Sequence, residues 1–195
     1  MVDKPFRVLL VSGSLRSGST NTAVLKTAAA VAPDSVTTTL YRGMAQLPHF
    51  NPDDDRNGEP VHAAVAELRG EVESADALLI CTPEYAGALP GALKNLLEWT
   101  VGNGGTYGKP VAWINASGPA APTGGGDAHD SLRKVLGYVG AEVVEGACVR
   151  LPITRDLIDG DGLISDEQIR AQIVAALTAL ARHRGQPASR QHPMG

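Results

Sequence analysis

Phe6-Arg7-Val8-Leu9-Leu10-Val11-Ser12-Gly13-Ser14-Leu15-Arg16-Ser17-Gly18-Ser19-Thr20-Asn21 holds the transition that decides the fold. The run from Phe6 to Val11 is short, rich in branched aliphatics and apolar on both faces, as a buried strand must be. It ends abruptly in glycines and hydroxyl residues, and Asn21–Ala32 then carries Ala23, Val24, Thr27, Ala28 and Val31 at helical spacing before Pro33 stops it. A buried strand, a small polar turn and a helix form the opening half of a β-α-β unit.

The same alternation runs on through the chain. Val36–Tyr41 predicts a second strand, followed by a loop containing Pro48, Pro52, Asp53-Asp54-Asp55 and Pro60. Helix is predicted over Val61–Ser74, Pro90–Trp99, Asp127–Val139 and Ser165–Arg184, the last with Ser165 and Gln168 placed as a capping box. Strand is predicted over Ala77–Cys81, Pro110–Asn115 and Ala141–Val149. Leu89, Leu93, Leu96 and Leu97 form a helical stripe that suits a core or a subunit interface, with Trp99 on the same surface. Strands apolar on both faces, alternating with helices, require a parallel sheet covered on both sides. No linker or repeat divides the chain, so one domain is expected over 1–184 and a loose tail over 185–195.

Composition narrows the function. With 195 residues, 43% hydrophobic and 19% charged, the chain has the balance of a globular domain with a substantial core. A formal charge of −4 argues against nucleic acid, which needs a basic face. Cys81 and Cys148 lie in apolar runs and read as reduced, buried thiols. No secretory signal is visible, and no stretch approaches the ~18 apolar residues of a membrane span. The expected location is cytoplasmic, with no membrane partner.

Ligands of parallel α/β sheets sit beyond the carboxyl ends of the strands, which directs attention to three loops. The first, Gly13 to Asn21, offers hydroxyls, glycines and Arg16 at a helix N-terminus, where N–H groups and the helix dipole favour an anion. Ser19 stands where a P-loop needs lysine, and Leu15 where a dinucleotide fingerprint needs its second glycine. What remains suits one terminal phosphate of a mononucleotide. The second loop, Thr82 to Asn95, is stiffened by Pro83 and Pro90, while Gly87 permits close backbone approach to a ligand. Tyr85 presents an apolar face with a polar tip to a flat ring. The third combines Ala116-Ser117-Gly118-Pro119 with Thr123-Gly124-Gly125-Gly126. Asp159-Gly160-Asp161-Gly162 is read as a turn, because an EF-hand alignment puts Leu157 and Gln168 where carboxylates are needed. The histidines show no metal-ligand spacing, so no metal is expected.

Gly13-Ser14-Leu15-Arg16-x-x-Ser19-x-Asn21 together with Pro83-Glu84-Tyr85-x-Gly87-x-x-Pro90-Gly91-x-Leu93-Lys94-Asn95 resembles the NADPH-dependent FMN reductase family, which includes quinone, azo-dye and chromate reductases. The resemblance implies a flavodoxin-like three-layer sandwich whose five-stranded parallel sheet has the order 2-1-3-4-5. It implies that Ser14, Arg16, Ser19, Asn21 and Thr22 hold the FMN phosphate. Pro83, Glu84, Tyr85, Ala86 and Gly87 would line the isoalloxazine, flanked by Ser117 and Gly118. NADPH or NADH would be the hydride donor in a ping-pong reaction with a quinone-like or other small acceptor. The flavin performs the chemistry, so no side chain is named as catalytic. A homodimer or homotetramer is expected, with Pro90–Trp99 near the interface. Many members carry Asn after the tyrosine and Ser two positions later, whereas this chain has Ala86 and Ala88, a difference that bears on acceptor preference. The rival readings are a flavodoxin-type electron carrier without turnover and an FMN-binding regulatory module.

Overall fold

The computed structural model of the chain describes residues 4–56, 59–118 and 121–183; the expected tail at 185–195 lies outside them. Strand β1 (Phe6–Ser12) pairs in parallel with β2 (Val36–Leu40) on one side and β3 (Ala77–Cys81) on the other. Strand β4 (Pro110–Asn115) lies beyond β3 and meets two short strands, β5 (Glu142–Val143) and β6 (Val149–Arg150). The order is β2-β1-β3-β4-β5, with β6 also on β4, in agreement with the expected 2-1-3-4-5 arrangement.

Every residue of β3 and β4 is buried, and side chains on a strand alternate between its two faces. Val8 and Leu10 therefore enter one core with α1 (Thr20–Ala30) and α5 (Glu167–Arg182), against Val24, Ala28, Ile173 and Leu177. Leu9 and Val11 enter the other with α2 (Ala63–Ser74), α3 (Gly91–Glu98) and α4 (Gly126–Tyr138), against Leu68, Leu93, Leu97 and Leu132. Each such aliphatic side chain contributes roughly 1.5–3 kcal/mol by leaving water. The leucine stripe of α3 is wholly used inside this second core. Trp99 is buried there as well, its indole N–H donating to Pro48 O at 2.9 Å. The helix keeps no apolar stripe for a subunit interface.

The continuous strand predicted over Ala141–Val149 is interrupted. Val143 lies opposite Val111 and Val149 opposite Ile114, so the chain uses six residues where β4 advances three. The excess forms a 3-10 turn, Glu145–Ala147, that seats Ala147 in the α1–α5 core while Glu145 pairs with Arg133 on α4. The start of the last helix also differs. Asp166, not Ser165, is the N-cap and accepts from Ile169 N–H at 2.8 Å. Ser165 donates instead to Leu157 O at 3.1 Å. A carboxylate beside the helix dipole outcompetes a hydroxyl one residue earlier. Among the described residues no helix is long and apolar enough to cross a membrane.

Candidate functional site

The carboxyl ends of β1, β3 and β4 bring the three loops together. Pairing between β1 and β3 continues one step past the strand, since Gly13 N–H donates to Cys81 O at 2.8 Å. A Cβ on Gly13 would lie 2.2 Å from Thr82 Oγ1, so only glycine permits this closeness. The chain then turns with its own hydroxyls as staples. Ser14 N–H donates to Ser12 Oγ and Arg16 N–H to Ser14 Oγ, both at 3.3 Å, and the Ser12 and Thr22 hydroxyls lie 2.9 Å apart. Ser19 occupies the N-cap of α1, yet its side chain makes no capping bond. The helix opens with Ala23 N–H to Ser19 O at 3.0 Å. The N–H groups of Thr20, Asn21 and Thr22 thus have no acceptor among the described residues, at the positive end of the helix dipole. Arg16 is exposed and forms no ion pair among the described residues.

After β3, buried Cys81 donates its thiol proton to Asn21 Oδ1 at 3.3 Å. Desolvation pushes the Cys81 thiol far above its ordinary range and keeps it protonated as that donor. The next segment closes in a two-residue turn. Tyr85 N–H donates to Ala88 O at 3.0 Å and Ala88 N–H to Tyr85 O at 3.1 Å. Ala86 at φ +52° and Gly87 at φ +72° occupy its corners, the left-handed pair that a type I′ turn requires. Tyr85 is exposed, and with Gly13, Leu15, Arg16, Pro90, Gly91 and Ala92 it lines a hollow of about 360 Å³.

The segment after β4 is held from beneath by Asn115, which is buried. Its Oδ1 accepts from Ser117 N–H at 2.8 Å, and Nδ2 donates to Gly124 O at 2.8 Å and to His129 Nδ1 at 3.1 Å. The bond to Ser117 fixes which end of the amide is oxygen, so His129 Nδ1 accepts and its proton sits on Nε2. The ring stacks on Trp113 at 5.6 Å between centroids. Burial first, and the Arg150 charge second, pull the His129 pKa down to about 4, which keeps the neutral acceptor form. Gly125 at φ +77° has no room for a side chain, since a Cβ would lie 2.4 Å from Ser117 Oγ.

Between these walls lies a cleft of about 520 Å³, within the roughly 300–1,000 Å³ typical of small-molecule and cofactor sites. Of the residues predicted for the site, Asn21, Pro83, Glu84, Ser117 and Gly118 line this cleft, and Arg16 and Tyr85 line the smaller hollow. Ser14, Ser19 and Thr22 form the turn and the helix start, while Ala86 and Gly87 form the exposed tip of the second segment; none of these five lines either space. Three contributions escaped the sequence reading. Asn115 looked like a strand end, and His129 like a helix residue without a metal partner. Ile153, Thr154 and Arg155, beyond β6, line the cleft from a connection hidden by the broken fifth strand.

A doubly wound parallel sheet with a cleft at the carboxyl ends of its central strands, and unpartnered N–H groups at the start of its first helix, defines a flavodoxin-like α/β protein. The chain belongs to the NADPH-dependent FMN reductase family, whose sequence model matches residues 6–155. It is 34% identical over 176 residues to an NAD(P)H-dependent FMN reductase of Pseudomonas aeruginosa, covering 89% of this chain and 92% of that protein. It is 30% identical over 181 residues to an NAD(P)H:quinone oxidoreductase of Solanum tuberosum, covering 89% and 90% of the two chains. Among solved structures, the flavoenzyme NAD(P)H:acceptor oxidoreductase FerB of Paracoccus denitrificans superposes with a TM-score of 0.77 at 26% identity, over 93% of this chain and all of that one (100%).

Proposed function

We propose that this chain is an FMN-dependent NAD(P)H oxidoreductase acting on a quinone-like or other small acceptor. The supporting observation is the opening of α1: three unpartnered N–H groups, the Ser14 and Ser19 hydroxyls and the exposed Arg16 side chain belong to one turn and the helix start that follows it. A phosphate monoester carries roughly −1.5 to −2 charge near neutral pH, and this donor set is matched to it. Cys81 holds the Asn21 amide with its oxygen engaged, leaving the amide N–H groups to donate as well.

Bound there, FMN supplies hydride acceptance and donation. The chain's own residues bind, orient and shield. Pro83 to Gly87 would supply a stiff ledge for the ring, and the N–H groups of Ala86 and Gly87 at its exposed tip, free of partners among the described residues, would be available to polar atoms of the ring edge. Ser117 and Gly118 form the opposite wall, fixed by Asn115. Tyr85 and Leu15 border the entry for the nicotinamide and then for the acceptor. No side chain needs to exchange a proton with substrate. The same reading places the protein in the cytoplasm as a homo-oligomer.

Titration of the purified protein with FMN, followed by quenching of flavin fluorescence, tests the site. Addition of NADPH or NADH with a benzoquinone under anaerobic conditions tests turnover. Saturable FMN uptake and steady nucleotide oxidation with ping-pong kinetics are expected. Absence of FMN uptake overturns the reading, and uptake without turnover leaves a carrier in its place.

A further inference from the structure

The carboxylate of Glu84 is shared by two segments that border the cleft. Its Oε2 accepts from Thr123 Oγ1 at 2.6 Å and from Ala128 N–H at 3.3 Å. Glu84 belongs to the segment after β3, Thr123 to the segment after β4, and Ala128 to the first turn of α4. That helix has no cap of its own: Gly125 stands at its N-cap position with no side chain to offer. Glu84 therefore supplies from across the cleft the anion that a helix N-terminus favours. The crossing falls where the ligand space is bounded, since Pro83, Glu84, Thr123 and Gly125 all line the 520 Å³ cleft. The tripeptide Thr123-Gly124-Gly125 has two consecutive left-handed glycines, at φ +60° and +77°. Gly125 N–H to Thr123 Oγ1 and Gly126 N–H to Thr123 O, both at 3.2 Å, close this turn locally, and Asn115 Nδ2 holds Gly124 O from beneath; the bond to Glu84 is what ties it to the segment after β3.

We propose that Glu84 is a positioning residue: its bridge to Thr123 and the start of α4 fixes the separation of the two walls that hold the flavin ring, and thereby sets how fast FMN leaves. This rests on the flavin reading above. Oε2 takes both bonds, while Oε1 has no partner among the described residues. A glutamine at this position keeps an acceptor oxygen but loses the charge.

The test is the release rate of FMN from the loaded protein, followed by recovery of free-flavin fluorescence after dilution, with visible circular dichroism of the bound flavin as a second readout. Thr123→Val should speed release roughly tenfold, the scale of one hydrogen bond to a charged group, and flatten the flavin dichroism. Thr123→Ser should restore both and Glu84→Gln should fall between; because Thr123 Oγ1 also accepts from Gly125 N–H at 3.2 Å, Thr123→Val should cost clearly less in the Glu84→Ala background than in the wild type. If Glu84→Ala fails to fold, the valine and serine variants of Thr123 decide the matter without it. A wild-type protein that takes up no FMN overturns both readings. Normal uptake with unchanged release from Thr123→Val, or additive effects in the double variant, overturns the bridge alone.

Discussion

The turn after β1 and the segment after β4 lie at the same edge of the sheet and use their polar groups in opposite ways. In the first, hydroxyls staple the backbone through long bonds of 3.3 to 3.4 Å, the N-cap serine caps nothing, and three helix N–H groups are left over. In the second, one asparagine makes three bonds, a neutral histidine accepts one of them, and a glutamate from another segment closes the helix start. Buried polar groups left without partners are costly, whereas the half-buried N–H groups left over at the start of α1 are, in the proposed function, donors for an incoming anion. In the second segment the Asn115 amide is engaged at both ends, and His129 Nε2 is the atom of that pair buried without a partner among the described residues, so the wall is largely formed before any ligand arrives. In the proposed function one side of the cleft receives the ligand and the other is scaffolding.

The sharpest way to break this contrast is to attack the scaffold. Asn115→Leu removes the partner of Ser117 N–H, Gly124 O and His129 Nδ1 together. With ~1–3 kcal/mol for each stranded buried group, and incomplete additivity, the flavin-free protein should lose about 3–5 kcal/mol in urea unfolding. Wild-type stability in this variant would show that the segment is held by something else. The matching attack on the receiving side is Arg16→Ala. It should weaken FMN binding by roughly 1.5–3 kcal/mol while unfolding of the flavin-free protein moves by less than about 0.5 kcal/mol. A stability loss with unchanged affinity would reverse the roles assigned to the two sides.

Acid separates them next. His129 titrates at about 4 in the folded chain, against an ordinary 6.5, so between those values the unfolded chain binds a proton that the folded chain refuses. Its contribution is complete above pH 6.5 and declines as pH falls towards 4. Allowing for solvent screening of a partly exposed ring, about 1–2 kcal/mol should be lost between pH 7 and pH 5. His129→Gln should remove that slope from a plot of unfolding free energy against pH. A slope that survives the substitution would assign it to other groups.

The turn proposed to receive the phosphate was legible in the sequence as a cluster of donors, and the scaffold was not, for a physical reason. Spare donors at a helix start are a local property: Gly13, Ser14, Arg16, Ser19 and Asn21 lie within nine consecutive positions, and their types announce their use. The bonds of Asn115 to His129 and of Glu84 to Thr123 span 14 and 39 positions, and nothing in either partner names the other. The sheet was legible because β3 and β4 are apolar on both faces. Its fifth strand was misread as unbroken because Val143, Val144, Ala147, Cys148 and Val149 look alike as apolar residues. The chain loops between them, with Ala147 seated in the core shared by α1 and α5.

The smallest expected effect concerns the tip of the second segment. Ala86 is the one non-glycine residue with positive φ among those described, at +52°. A Cβ in that region costs roughly 1–2 kcal/mol, which asparagine partly escapes because its short amide bonds locally. The turn around it is otherwise sound, with both Tyr85–Ala88 bonds formed, so the strain is local and is removed by changing one side chain. Ala86→Asn should therefore stabilise the flavin-free protein by about 0.5–1 kcal/mol, seen as a higher midpoint in thermal unfolding. It also adds an amide donor at the ledge proposed for the flavin ring. If stability rises and FMN affinity stays level, the residue at this corner answers only to backbone geometry. If affinity rises with it, the side chain at this corner joins the backbone N–H groups of the segment after β3 in holding the ligand.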